Sequence, residues 1–192
     1  MQIEKLENNW YLIRIEPGEK FMSNLAKVMR DGKFGFAWFW SIGGGFKGVD
    51  CSFSVGHEKG SIPKKFEGPM ELSNANGNIS WVGEKLETPA VHCHVDLADE
   101  ELKGYGAHLV EVEVVELTAE VLLKTFDKKI TRQIDKRVNL GLLDLPPYSS
   151  PQSSSQEKSS NNLPLGLVFP LGIAIFGLLA MTMFWATQKS KV

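Results

Sequence analysis

Short runs in which apolar and polar residues alternate dominate the first 145 residues of the chain. A period of two places every second side chain on the same face of a β-strand. Residues 19–32 instead show helical spacing that ends at Gly32, while residues 118–127 fit either a strand or a helix. We therefore expect an α+β domain built on an antiparallel sheet. The segments that we predict as strands are 10–17, 35–45, 48–56, two pieces of 64–80 separated at Gly68-Pro69, 88–97 and 104–117.

Composition divides the chain into four parts. Residues 1–145 have the mixed apolar and charged composition of a globular domain, and residues 146–162 are rich in Ser, Pro, Gln and Asn, as a flexible linker is. Residues 163–186 form an apolar run of 24 residues, and residues 187–192 form a short polar tail. Because a helix needs roughly 20 apolar residues to cross a bilayer, we predict a transmembrane helix over 163–186.

The expected location follows from that helix. A single membrane-spanning helix close to the C-terminus is the arrangement of a tail-anchored protein, which keeps its domain in the cytoplasm. Lys189 and Lys191 follow the run and favour a cytoplasmic C-terminus instead. The N-terminus has no basic start followed by an apolar run, so no secretory signal is expected. We expect a single-pass membrane protein with a cytoplasmic domain.

Three of the four histidines lie between residues 91 and 109. His92 and His94 are two apart on a predicted strand, so they share a face. If the following hairpin is centred on Glu101, His94 lies directly opposite His108, and all three rings converge. Asp96 shares their face and is a candidate acceptor for a ring N–H.

Three converging imidazoles with an open fourth position are the ligand set of a zinc-type site. The alternative is that each histidine is an ordinary half-buried strand residue, and a register shift of one position would turn His108 to the other face. On the predicted strand His108 shares its face with Val110, Val112 and Val114, so we expect the histidines on the more apolar side. His57 lies in a separate loop. Cys51 and Cys93 lack metal-site spacing and are interpreted as small buried hydrophobic residues.

Several segments together resemble the plants and prokaryotes conserved domain, known as PPC or PCC. They are RIEPGE at 14–19, SIGGG at 41–45, FEGPMELSNANGNIS at 66–80, VHCHVDLAD at 91–99, GYGAHL at 104–109 and LGLLDL at 140–145. The resemblance implies an antiparallel sheet of about seven strands with flanking helices, assembled as a homotrimer. It also implies that His92, His94 and His108 bind a metal ion, usually zinc. Ala107 replaces a glycine of the family pattern, and its small side chain is compatible with the site.

Three functions remain open. The first is a binding and oligomerisation module with an unknown protein partner. The second is a metal-dependent hydrolase or hydratase, for which Asp96, Glu67 and Glu71 are the candidate acids or bases. The third is DNA binding, as in plant relatives, but the chain lacks their AT-hook and its net charge is −2. Its basic segment at 124–137 fits a solvated surface better than a contact to lipid or nucleic acid. We favour the module over the enzyme and over nucleic-acid binding.

Overall fold

The computed structural model describes residues 1–54, 61–83 and 88–148. Within these ranges the chain forms ten strands and one helix. In chain order they are β1 (Gln2–Lys5), β2 (Trp10–Ile15), α1 (Phe21–Asp31), β3 (Phe36–Ile42), β4 (Gly45–Ser54), β5 (Ser61–Val82), β6 (Thr88–Ala98), β7 (Gly104–Val115), β8 (Ala119–Phe126), β9 (Thr131–Asp135) and β10 (Leu140–Leu143). The predicted boundaries at 145, 162 and 186 stay predictions, since residues 149–192 lie outside the described residues.

The strands pair into one mostly antiparallel sheet in the order β1-β2-β8-β3-β5-β4-β7-β6. The long strand β5 pairs with β4 through its first half and with β3 and β6 through its second half. Strands β5, β4, β7 and β6 therefore form a closed ring, because β6 pairs with both β7 and β5. The parallel pair is β5 with β9, and β10 continues the sheet beyond β9.

The sequence prediction of a predominantly antiparallel sheet is confirmed, but the expected seven strands and flanking helices are wrong in number. Strands β1, β9 and β10 are short and contain no fully buried residue, so their sequences carry little apolar alternation. The two pieces predicted around Gly68-Pro69 are one strand of 22 residues. Pro63 and Pro69 are tolerated there because that half of β5 pairs on one side, with β4.

Helix α1 covers the inner face of the sheet. The buried side chains Phe21, Leu25, Val28 and Met29 match the predicted helical spacing, and Met22 is buried as well. The Phe21 ring packs edge-on against Phe39 and Phe46, with centroids 6.4 and 5.7 Å apart. This helix face and the inward residues of the sheet form the hydrophobic core.

The N-terminus of α1 is capped by a residue distant in sequence. Lys20 occupies the N-cap position and makes no side-chain capping bond. Instead the Glu111 carboxylate of β7 accepts the N–H groups of Met22 at 2.9 Å and Ser23 at 3.2 Å, and the Ser23 hydroxyl at 2.6 Å. An acidic group at a helix N-terminus satisfies donors that have no partner within the helix. Glu111 therefore ties the helix to the strand that carries His108.

The membrane prediction is corrected. Within residues 1–54, 61–83 and 88–148 the single helix has 11 residues, and no helix is long and apolar enough to cross a membrane. The expectation of a single-pass membrane protein with a cytoplasmic domain is therefore not retained. It rested on the apolar composition of residues 163–186, and that run lies outside the described residues.

Candidate metal centre

The hairpin of β6 and β7 brings two of the three histidines face to face. His94 pairs with His108, and the same register continues to the pair of Ala98 and Gly104. His92 stands two residues before His94, on the same face of β6. The register predicted from a turn centred on Glu101 is confirmed.

The turn that sets this register is organised by Asp99. Its Oδ1 accepts the N–H groups of Glu101 at 3.0 Å and Lys103 at 2.9 Å, and its Oδ2 accepts the Tyr105 hydroxyl at 2.9 Å. Leu102 adopts a positive φ of 62° at the tip. These hydrogen bonds, led by that from Lys103, hold the pKa of Asp99 below its ordinary value. One carboxylate thus closes the turn and fixes which residues of β6 and β7 face each other.

The three imidazole rings form a tight triangle. The ring centroids are 5.2 Å apart for His92 and His94, 4.9 Å for His92 and His108, and 5.3 Å for His94 and His108. One ring nitrogen from each residue lies within 4.8 Å of the other two. His92 and His108 are half-buried, whereas His94 is exposed. The structure therefore brings together all three residues that the sequence suggested as ligands.

The histidines lie on the face of the ring of strands that is turned away from the core. On β6 the alternate residues Cys93, Val95 and Leu97 are buried. The expectation that His108 shares its face with Val112 and Val114 is wrong. The register between β4 and β7 shifts near Asp50. As a result Leu109, which directly follows His108, and Val112, three residues further along β7, are both buried on the core side. A β-bulge exchanges the two faces of a strand, and it cannot be read from alternation alone.

Both cysteines are buried and free, as the sequence predicted. Burial raises the pKa of the Cys51 thiol to about 11 and that of Cys93 to about 12. Cys93 stands between His92 and His94 but points into the core, so it does not join the histidine cluster. The candidate ligand set contains nitrogen donors alone among the described residues.

Burial lowers the pKa of two of the three histidines. Burial, with smaller contributions from Arg132 and the other two histidines, lowers the pKa of His92 to about 4. The pKa of His108 is lowered by burial and by the nearby His94 and Arg132. Neutral imidazole is the form that coordinates a metal ion. At neutral pH His92 is therefore already in the form that binds a metal ion, and the lowered pKa of His108 favours the same form.

The other candidates from the sequence are placed differently. Asp96 lines the same cavity as the histidines, but its Oδ2 accepts a hydrogen bond from the Asn74 amide at 3.2 Å. Glu67 is exposed and pairs with Lys65 at 3.7 Å, and neither Glu67 nor Glu71 is among the described residues that line the cavity. His57 lies outside the described residues.

A cavity of about 620 Å³ opens beside the histidine cluster. Arg132 of β9 forms part of its wall, and sequence analysis did not single it out. The basic segment at 124–137 contains it, but nothing in that segment distinguishes Arg132 from its exposed neighbours. The remaining lining residues include Ser52, Phe53, Ser61, Leu140 and Leu142.

A model of the Plants and Prokaryotes Conserved (PCC) domain matches residues 3–127. The chain belongs to the PCC domain family. The match includes His92, His94 and His108, and the predicted resemblance is confirmed. Arg132 and strands β9 and β10 lie beyond the matched residues. A comparison with curated proteins finds no match.

Solved structures of PCC-like chains have the same fold. A plant- and prokaryote-conserved protein from Pyrococcus horikoshii is 26% identical with a TM-score of 0.64, over 77% of this chain and 96% of that one. A "putative DNA-binding protein" from Ralstonia eutropha JMP134 is 25% identical with a TM-score of 0.64, over 75% of this chain and 96% of that one. A metal-containing protein from Archaeoglobus fulgidus is 20% identical with a TM-score of 0.63 over 75% and 96%, which shows the fold alone.

Proposed function

We propose that this PCC domain binds one divalent metal ion, of the zinc type, through His92, His94 and His108. The observation that carries the proposal is the triangle of ring nitrogens within 4.8 Å of one another. Three imidazoles suit zinc and similar borderline metals, and leave a coordination position for another ligand. When bound, such an ion supplies a Lewis acid at the cavity wall.

We propose that the metal site serves a binding module and not an enzyme. Among the described residues that line the cavity, Asp96 is the one carboxylate, and it is already hydrogen-bonded to Asn74. A general acid or base must reach the reacting group within about 3 Å, directly or through a water. Glu67 and Glu71, the other sequence candidates, do not line the cavity. A turnover activity that His94→Gln abolishes would favour the hydrolase or hydratase alternative.

Elemental analysis of the purified full-length chain tests the ligand set. The wild-type chain should carry about one metal ion per chain after exposure to zinc and gel filtration, since a three-histidine cluster forms one site. His92→Gln, His94→Gln and His108→Gln should each lose most of it. His57→Gln is the matched control, because it removes the remaining histidine of the chain. Full metal content in the three cluster variants would overturn the proposal.

We further propose that copies of the chain associate as a homotrimer. An apolar surface on β2, β3 and β8, here called the aromatic face, supports this. It consists of Leu12, Trp38, Trp40, Leu122 and Phe126, which are 47, 36, 42, 37 and 43% exposed. The Trp38 and Trp40 rings lie next to each other along β3, with centroids 6.5 Å apart and planes tilted by 42°. Exposed apolar surface of this kind is typical of a protein interface, and the family resemblance argues for a second copy of the chain as the partner.

Light scattering on the full-length chain tests the assembly. The wild type should elute with three times the mass of one chain, and Trp38→Lys combined with Trp40→Lys should lower that mass. Val110→Lys is the matched control, because Val110 is 53% exposed on β7, away from the aromatic face. A monomeric wild type would refute the association.

DNA binding is the second candidate function, because the name of the Ralstonia relative describes it as DNA-binding. Three of the six basic residues at 124–137 are engaged within the domain. Arg132 points into the cavity wall, Arg137 pairs with Asp135 at 2.6 Å, and Lys124 lies over the Trp10 ring at 5.3 Å. Retention of the full-length chain on duplex DNA that falls steeply with salt would favour this function over the module.

A further inference from the structure

Arg132 is held rigidly at the cavity wall. Its Nε donates to the Ser80 hydroxyl at 3.1 Å, its Nη1 to the Gly141 carbonyl at 2.6 Å, and its Nη2 to the Asn78 side-chain oxygen at 2.9 Å. Asn78 in turn pairs across the sheet with His92. The guanidinium is therefore fixed at the same level of the sheet as the histidine cluster, with little freedom to turn away.

The charge of Arg132 is not neutralised by these bonds. All three acceptors are neutral, and a guanidinium has five N–H donors, so two remain after the bonds found among the described residues. No ion pair with Arg132 occurs within residues 1–54, 61–83 and 88–148. Its side chain is half-buried, and burial lowers its pKa. A fixed, half-buried cation without a counter-charge favours a negatively charged ligand.

The carboxylate on the same cavity wall is too distant to be that counter-charge. Asp96 is four residues along β6 from His92, which corresponds to about 13 Å on an extended strand. Arg132 bonds to Asn78, which pairs with His92, so Arg132 lies at the end of the cavity where His92 lies. The His92 end of the cavity is therefore positive, and Asp96 lies at the opposite end.

The cavity is large enough for more than a metal ion and a water. Its volume of about 620 Å³ falls in the range of small-molecule sites. Its wall combines the polar histidines and Arg132 with the apolar side chains Phe53, Leu140 and Leu142. Two of these, Leu140 and Leu142, belong to β10, which Arg132 anchors through Gly141.

We propose that this cavity binds a small molecule through an oxyanion group, carboxylate or phosphate, which lies between Arg132 and the metal held by the histidines. The inference rests on the proposed metal site and names the ligand class of that site. Arginine is suited to both groups because its planar fork of donors matches their oxygen atoms. The apolar side of the cavity, beside β10, receives the rest of the ligand.

Calorimetric titration of the metal-loaded, full-length chain tests the proposal, with inorganic phosphate and acetate as separate probes. At least one anion should bind with saturation, and Arg132→Gln should weaken that binding at least tenfold. Arg132→Lys should retain part of it, because the charge remains. Metal content, measured on the same samples, should stay near the wild-type value in both variants, since Arg132 is not a ligand.

Two matched variants separate the charge from the structural role of Arg132. Ser80→Ala removes one of its hydrogen bonds and keeps the charge, so it should weaken anion binding less than Arg132→Gln does. Arg137→Gln removes an exposed charge from the turn after β9 and should have no effect. The proposal is overturned if the metal-loaded wild type binds neither anion, or if Arg132→Gln binds as tightly as the wild type. If the wild type carries no metal, the proposed metal site is overturned instead. The elemental analysis detects that outcome independently of anion binding.

Discussion

His94 lies directly opposite His108 across the β6–β7 hairpin, and the Asp99 carboxylate closes the turn between them. A shift of one residue in this pairing would turn His108 to the other face and separate it from His92. The integrity of the candidate metal centre thus depends on a turn five residues away from the nearer ligand.

Asp99→Ala should weaken both the fold and the metal site. The substitution leaves the N–H groups of Glu101 and Lys103 without their acceptor and the Tyr105 hydroxyl without its partner. We expect a lower melting temperature and lower zinc affinity by competition with a chromophoric chelator. Glu100→Ala, an exposed neighbour in the same turn, is the control and should change neither quantity. Wild-type zinc affinity in Asp99→Ala would show that the turn does not govern the site.

Gly77→Ala should destabilise the domain strongly. Gly77 on β5 faces Cys93 of β6, and a Cβ there would lie 2.0 Å from the His92 carbonyl oxygen and 2.8 Å from the Phe39 ring. The backbone beside His92 must move, so the free energy of unfolding should fall by at least about 2 kcal/mol. Urea denaturation measures the change. Gly104→Ala is the control, since its Cβ would meet no atom within 4 Å.

Glu111→Gln should destabilise the cap of α1. The carboxylate accepts three hydrogen bonds at the helix N-terminus, from Met22 and from both donors of Ser23. Loss of its charge should lower the free energy of unfolding by about 1 kcal/mol. Glu113→Gln, on the same strand and exposed, should leave stability unchanged. Equal effects of the two substitutions in chemical denaturation would contradict the capping role.

Both thiols should resist modification in the folded protein. The pKa of Cys51 is raised to about 11 and that of Cys93 to about 12, so at pH 8 the reactive thiolate is scarce, and both side chains are buried. A disulfide reagent should therefore react slowly at pH 8 in the native state and rapidly with two thiols after denaturation. Because both raised values lie well above pH 9, reactivity should stay low between pH 7 and 9. Rapid native-state reaction would contradict the burial of these residues.

The parts of the site that sequence reasoning predicted are local in the chain. His92 and His94 share a face because they are two apart on one strand, and His108 joins them because a short turn fixes the register. Arg132 could not be predicted in the same way. It reaches the site through the parallel pairing of β9 with β5, a contact between residues 50 apart that leaves no periodic signal.

Alternation along the first 145 residues determined an antiparallel sheet, and the spacing of apolar residues at 19–32 determined its helix. Tertiary structure alone decided the closure of β5, β4, β7 and β6 into a ring, the cap that Glu111 places on α1, and the face on which the histidines lie. The reason is physical. Period and turn chemistry act between neighbours in the chain, whereas a bulge, a distant cap or the approach of Arg132 depends on which strands pair once the core has formed.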